Sequence, residues 1–188
     1  MTAGKLSTLG YALLGLVHGE PRTGYAIMKI FRTTPMGHYS GSPGAIYPAL
    51  RGLQRDGLVR GRPRRTGRPG TVLDITPKGV RRLTSWLRRS VTRADVIWRL
   101  DELMLRFAYM EQLLARREVV RFLESLGQEL DEYVGVLETH RATRSQTLHS
   151  RLALTSGIDG YRVQARWTRH AVMQIRKGRR AAPKGDAR

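Results

Sequence analysis

Residues 42–76, SPGAIYPALRGLQRDGLVRGRPRRTGRPGTVLDIT, decide the fold. Ser42 is a good helix N-cap, and Pro43 follows at the first helical position, where the missing N–H of proline costs nothing. Ile46, Ala49, Leu50 and Leu53 recur at i, i+3, i+4 and i+7, one apolar stripe of an amphipathic helix. Tyr47, Arg51, Gln54 and Arg55 fall off that stripe and face outward. Pro48 forfeits its bond to the Gly44 carbonyl, and the absent Cβ of Gly44 eases the crowding by its ring. Gly57 ends the helix. Leu58 and Val59 open a strand, and Val72, Leu73 and Ile75 sit in a returning one. Between them RGRPRRTGRPG places Arg62, Arg64, Arg65 and Arg68 in a basic tip. A short helix with a polar outer face, followed by a basic hairpin, is the pattern of a winged helix-turn-helix that reads DNA.

Upstream, Ser7 or Thr8 caps a first helix with Leu9, Leu13, Leu16 and Val17 on one face, ended by Gly19 and Pro21. A second helix runs from about Thr23 to Thr33 with Ile27, Ile30 and Phe31 inward, and Thr34-Pro35-Met36-Gly37 breaks it. Downstream, Thr76 and Pro77 start a helix through Val80, Leu83, Trp86 and Leu87. Residues 1–90 therefore read as a winged domain, helix–helix–helix–strand–strand and a closing helix. The charge balance changes across Val91–Ala94, which reads as a hinge. From Asp95 the pattern is helical throughout, with Ile97, Leu100, Met104 and Phe107 on one stripe and Trp98 beside it. A longer helix from about Glu111 carries Val120, Leu123, Leu126, Leu130, Val134 and Leu137, spaced near 3.5 on average, as in a helix lying along another helix. Gly157-Ile158-Asp159-Gly160 predicts a turn, and a last helix spans Tyr161 to about Arg176. The expected fold class is α+β and mostly α: a winged domain, a helical domain over residues 91–178, and a basic disordered tail over 179–188.

The 188 residues carry a formal charge of +19, which points to a polyanionic partner, nucleic acid first. Residues 1–90 hold sixteen Lys+Arg against three acids, residues 91–138 six against ten, and residues 139–188 twelve against two. Positive charge therefore lies at both ends and a mildly acidic helical stretch in the middle. Arginine outnumbers lysine twenty-nine to five, which suits bidentate contacts to phosphate and guanine but also follows from a genome-wide codon bias. No cysteine is present, excluding disulfides and cysteine-ligated metals. No apolar run reaches the roughly 18–20 residues that span a bilayer. The stretch Leu9–Val17, interrupted by Gly10 and Gly15, is no signal peptide. These features predict a cytoplasmic, nucleoid-associated protein without membrane contact.

Nothing points to catalysis. There is no G-x-S-x-G, P-loop or G-x-G-x-x-G. The neighbouring acids Asp101-Glu102 and Asp131-Glu132 diverge by about 100° on their helices, so neither forms a facing pair. His140, His149 and His170 are too dispersed for a metal site. The sequence predicts no catalytic residue, cofactor or metal.

The run LGYALLGLVHGEPRTGYAIMKIF, then SPGAIYPALRGLQRDGLV, the GRPG wing and LDITPKG, resemble the PadR family of transcriptional regulators. WRLDELMLRFAYM, the long helix and a last helix with tryptophan, RWTRHAVMQIR, are similar to the helical domain of its subfamily 1. Thr23 stands before Gly24-Tyr25 where many members have histidine. The resemblance implies a homodimeric repressor on an inverted-repeat operator in double-stranded DNA, with recognition helices about 34 Å apart. It also implies an effector, a small aromatic or drug-like molecule. Ser42, Gly44 and Tyr47 then lie where the recognition helix enters the major groove. Arg51 faces phosphate one turn on, and Tyr25 either touches phosphate or packs. Arg62, Arg64, Arg65 and Arg68 contact backbone or minor groove, with Arg68 between Gly67 and Pro69 suited to a narrow A·T tract. Trp98 is the candidate effector residue, against the ordinary alternative of a core tryptophan; Trp86 and Trp167 read as packing residues. Two rivals stand beside this reading. One is a charge-driven architectural binder without sequence preference, the other a helical protein-interaction module.

Overall fold

The structure, a computed structural model, describes residues 6–40, 42–63, 70–143 and 145–178. The chain forms two compact units, one of residues 1–89 with 108–113 and one of residues 90–107 with 114–188.

The first unit opens with α1 (Thr8–Gly19), capped by the Ser7 hydroxyl, which accepts the Gly10 N–H. The expected one-sided helix is instead buried nearly all round, with Tyr11, Ala12, Leu13, Leu14 and Val17 in the core. A two-residue strand β1 (Arg22–Thr23) precedes α2 (Gly24–Thr33), and a 3-10 turn over Pro35–His38 leads to α3 (Pro43–Arg55). Strands β2 (Val59–Pro63) and β3 (Thr71–Ile75) pair antiparallel, and β3 lies centrally in the sheet order β1-β3-β2. Then α4 (Pro77–Leu87) starts at Thr76, whose hydroxyl accepts the Gly79 N–H. Trp86 is buried and stacks on Tyr11 with ring centroids 4.3 Å apart. Residues 108–113 complete this unit: the Tyr109 ring covers Gly15, its hydroxyl donates to the Ala12 carbonyl at 3.0 Å, and burial pushes its pKa up. The mostly helical chain with a small antiparallel sheet is the fold class the sequence predicts.

The second unit is helical. In α5 (Arg93–Trp98), Thr92 and Asp95 form a reciprocal capping box, so Arg93 and Ala94, expected in a hinge over Val91–Ala94, lie within a helix. Helical structure is not continuous from Asp95. Arg99 leaves the helical region, its N–H held by the Asp95 carbonyl, and α6 (Leu100–Met110) follows. The long helix α7 (Arg116–Thr143) begins five residues later than expected, because the Glu118 carboxylate accepts the Ala115 N–H and fixes the start there. Leu123, Leu126 and Leu130 are fully buried along it. α8 (Leu148–Lys177) is one helix of 30 residues, so the expected turn at Gly157–Gly160 is wrong. Two exposed helical glycines cost about 1 kcal/mol each, and Ile158 between them, fully buried, offsets that cost. α7 and α8 pack along each other, close enough that a Cβ on Gly127 would fall 2.7 Å from the Thr168 hydroxyl.

Candidate nucleic-acid interface

The α3 helix is amphipathic. Ile46, Leu50 and Leu53 are buried, whereas Ser42, Gly44, Tyr47 and Arg51 are exposed. The Ser42 hydroxyl accepts the Gly44 N–H at 3.2 Å and orders the first turn. Pro48 is accommodated inside the helix, as the glycine four residues before it allows. The helix ends in a Schellman motif. The Leu58 N–H reaches the Leu53 carbonyl at 2.9 Å, the Gly57 N–H reaches Gln54 at 3.0 Å, and Gly57 adopts φ +69°. This joint passes directly into β2, so the helix and the wing share one fixed corner. At the other end the Tyr47 ring lies against Gly24, at the start of α2, where a Cβ would sit 3.1 Å from it. Tyr25 is 75% exposed beside that contact, and Thr23 caps α2 by accepting the Ala26 N–H. Tyr25 and Tyr47 therefore belong to neighbouring helix starts.

In the wing, Arg62 lies 2.6 Å and Arg60 3.4 Å from the same carboxylate oxygen of Asp74. The register sets Arg60 opposite Asp74 and Arg62 opposite Val72. One largely covered carboxylate thus holds two arginines that remain more than half exposed. Asp74, which pairs with both wing arginines, is a member of the candidate site that sequence reasoning missed. Its signal is weak, a lone acid in an apolar strand two residues from Val72. Arg64, Arg65 and Arg68 lie outside the described residues.

In the helical unit Trp98 is 80% exposed at the end of α5. A groove of about 770 Å³ is lined by residues of α7 and α8, among them Leu123, Gly127, Val172 and Met173, and Trp98 is not one of them. Trp167 packs edge-on against Phe107 with centroids 5.3 Å apart. Asp131 and Glu132 are engaged by Arg169 at 2.7 Å and Arg93 at 2.6 Å. Among the described residues no helix is long and apolar enough to cross a membrane.

Three helices, a three-stranded sheet and a wing, with α3 exposing its polar face, define a winged helix-turn-helix protein. The model of the transcriptional regulator PadR-like family matches residues 13–85, the stretch that carries the winged fold. The Bacillus subtilis (strain 168) negative transcriptional regulator PadR is 31% identical over 118 residues, 60% of this chain; the match spans 62% of that relative's length. Crystal structures are similar at lower identity. Bacillus subtilis PadR in complex with operator DNA is 22% identical, with a TM-score of 0.40, over 90% of this chain and 99% of that one. The same protein in complex with p-coumaric acid is 20% identical, TM-score 0.39, over 93% and 100%. The PadR-like regulator BC1756 from Bacillus cereus is 19% identical, TM-score 0.41, over 93% and 99%.

Proposed function

We propose that the protein is a sequence-specific, homodimeric DNA-binding repressor that acts by binding and not by catalysis. The observation that carries this reading is the division of α3, with Ile46, Leu50 and Leu53 buried and Ser42, Gly44, Tyr47 and Arg51 exposed. Ser42, Gly44 and Tyr47 enter the major groove, Arg51 and Tyr25 take phosphates, and the wing, with Arg62, Arg64, Arg65 and Arg68, follows the backbone or minor groove. Residues 91–178 join two copies, so that two winged domains meet an inverted repeat about 34 Å apart. The protein works in the cytoplasm on the nucleoid. A small aromatic molecule stacks on Trp98, whose exposure at 80% suits a ligand-facing ring better than a core role, and releases the DNA.

The test is binding to DNA upstream of the protein's own gene against an equal-length scrambled duplex at moderate salt. A preference of about a hundredfold or more, with two protomers per site, is expected for a specific regulator. Equal binding to both duplexes would overturn the reading in favour of a charge-driven architectural role, which the net charge of +19 also suits. Trp98→Ala should abolish the response to a releasing aromatic while leaving operator affinity intact.

A further inference from the structure

The α8 helix has two apolar faces. Ile158, Ala165, Thr168 and Val172 are buried on one. Leu148, Leu152, Val163 and Met173 are each 43–57% exposed. At about 100° per residue these four fall within an arc of about 80°, turned about 140° from the buried set. The same arc carries half-buried Thr155 and exposed Asp159, Arg166, His170 and Lys177; Asp159 lies 3.2 Å from Arg162 of its own helix and stays exposed. It runs about 38 Å from Leu148 to Met173.

The stripe is self-complementary when read backwards. Laid antiparallel on a second copy about a two-fold axis between Arg162 and Val163, Leu152 meets the partner's Met173, Thr155 the partner's His170 and Asp159 the partner's Arg166. Symmetry makes each pairing occur twice. A parallel pairing would instead set Asp159 beside Asp159 and Arg166 beside Arg166, with like charges in contact. Met173 also walls the α7–α8 groove, so the partner's Leu152 arrives at the open side of that groove.

We infer that α8 pairs antiparallel with α8 of a second copy in this register, and that the Asp159–Arg166 contacts select the direction. The inference rests on the dimer proposed above and assigns its interface.

The chain has no cysteine, which makes cross-linking a clean test. In Leu152→Cys/Met173→Cys the two thiols of one chain are about 32 Å apart along the helix, beyond any internal disulfide. Mild oxidation should convert the dimer almost wholly into a covalent one, whereas Leu148→Cys/Met173→Cys, out of register, should not cross-link. Asp159→Arg should weaken dimerisation about tenfold or more in sedimentation equilibrium, and Asp159→Arg/Arg166→Asp should restore it. A monomer at micromolar concentration, a dimer without the cross-link, or a swap that fails to rescue would each overturn the assignment. Failure here is distinguishable from failure of the repressor reading. A dimer that discriminates its operator but does not cross-link refutes only this interface, and one that cross-links without discriminating DNA refutes only the repressor.

Discussion

Replacing Gly79 by alanine should destabilise the winged unit although it adds a helix-favouring residue. Gly79 is in the first turn of α4, and a Cβ there would lie 2.1 Å from the Leu58 carbonyl oxygen and 2.7 Å from an Ile75 side-chain carbon. That oxygen cannot retreat. It accepts the Thr76 N–H at 3.0 Å, while the Leu58 N–H is committed to Leu53 in the motif that ends α3. The start of α4 must move by about 1 Å, at an overpacking cost of about 1–3 kcal/mol. The gain in helix propensity is below about 1 kcal/mol so close to the N-terminus. The net loss is about 2 kcal/mol, which for a unit of roughly this size lowers Tm by about 10 °C. Thermal unfolding followed by Trp86 fluorescence, with Trp98 and Trp167 replaced by phenylalanine, isolates the winged unit. Gly135→Ala is the matched control: Gly135 is an exposed residue of α7 with nothing within 4 Å of a new Cβ, and the same change should add up to about 1 kcal/mol. A Tm for Gly79→Ala equal to or above that of the parent would refute the reasoning.

Ser42→Ala removes the acceptor for the Gly44 N–H and should cost about 1 kcal/mol in urea unfolding of the winged unit. Stability should fall with rising alkaline pH. Burial first, then neighbouring Tyr39, raises the Tyr109 pKa in the folded state, so above the ordinary tyrosine value the unfolded chain loses this proton first. Tyr109→Phe should flatten that decline in pH-dependent unfolding while costing about 1 kcal/mol at neutral pH through the lost bond to Ala12. Asp74→Asn frees Arg60 and Arg62, and the slope of log K against log salt for DNA binding should steepen by about 1–2. An unchanged slope would place both arginines away from phosphate.

What the sequence makes legible follows from how local its causes are. Ser42, Pro43, the stripe through Leu53 and the Gly57 stop act within a few residues, and α3 forms where they place it. The β1 strand has two residues and no period to read; its pairing partners, Leu73 and Val72, lie about fifty residues on. The α8 helix was legible only in part, since the local penalty of Gly157 and Gly160 is read from sequence whereas the compensating burial of Ile158 is tertiary. Of the candidate site, the exposed face of α3 is local and readable. The Asp74 clamp needs the register of β2 on β3, and the exposure of Trp98 needs the packing of its whole unit.

The arginines do different work in the two units, and this decides where the uncompensated charge lies. On α7, Glu124, Asp131 and Glu138 are spaced seven apart, and on α8 so are Arg162, Arg169 and Arg176. In the antiparallel hairpin Arg176 meets Glu124 at 2.5 Å, Arg169 meets Asp131 at 2.7 Å and Arg162 meets Glu138. Arg93 takes Glu129 and Glu132 as well. Each exposed pair contributes less than about 1 kcal/mol; their larger effect is on the field, because paired charges cancel within a Debye length of roughly 8 Å. Residues 1–90 have only Glu20, Asp56 and Asp74 to set against sixteen Lys+Arg, and all three are already paired, with Arg22, Arg55 and the two wing arginines. The uncompensated charge is therefore concentrated in the part of the chain that carries α3 and the wing. Three arginines of α8 are neutralised by acids of α7, so excess arginine alone does not make a DNA-binding face.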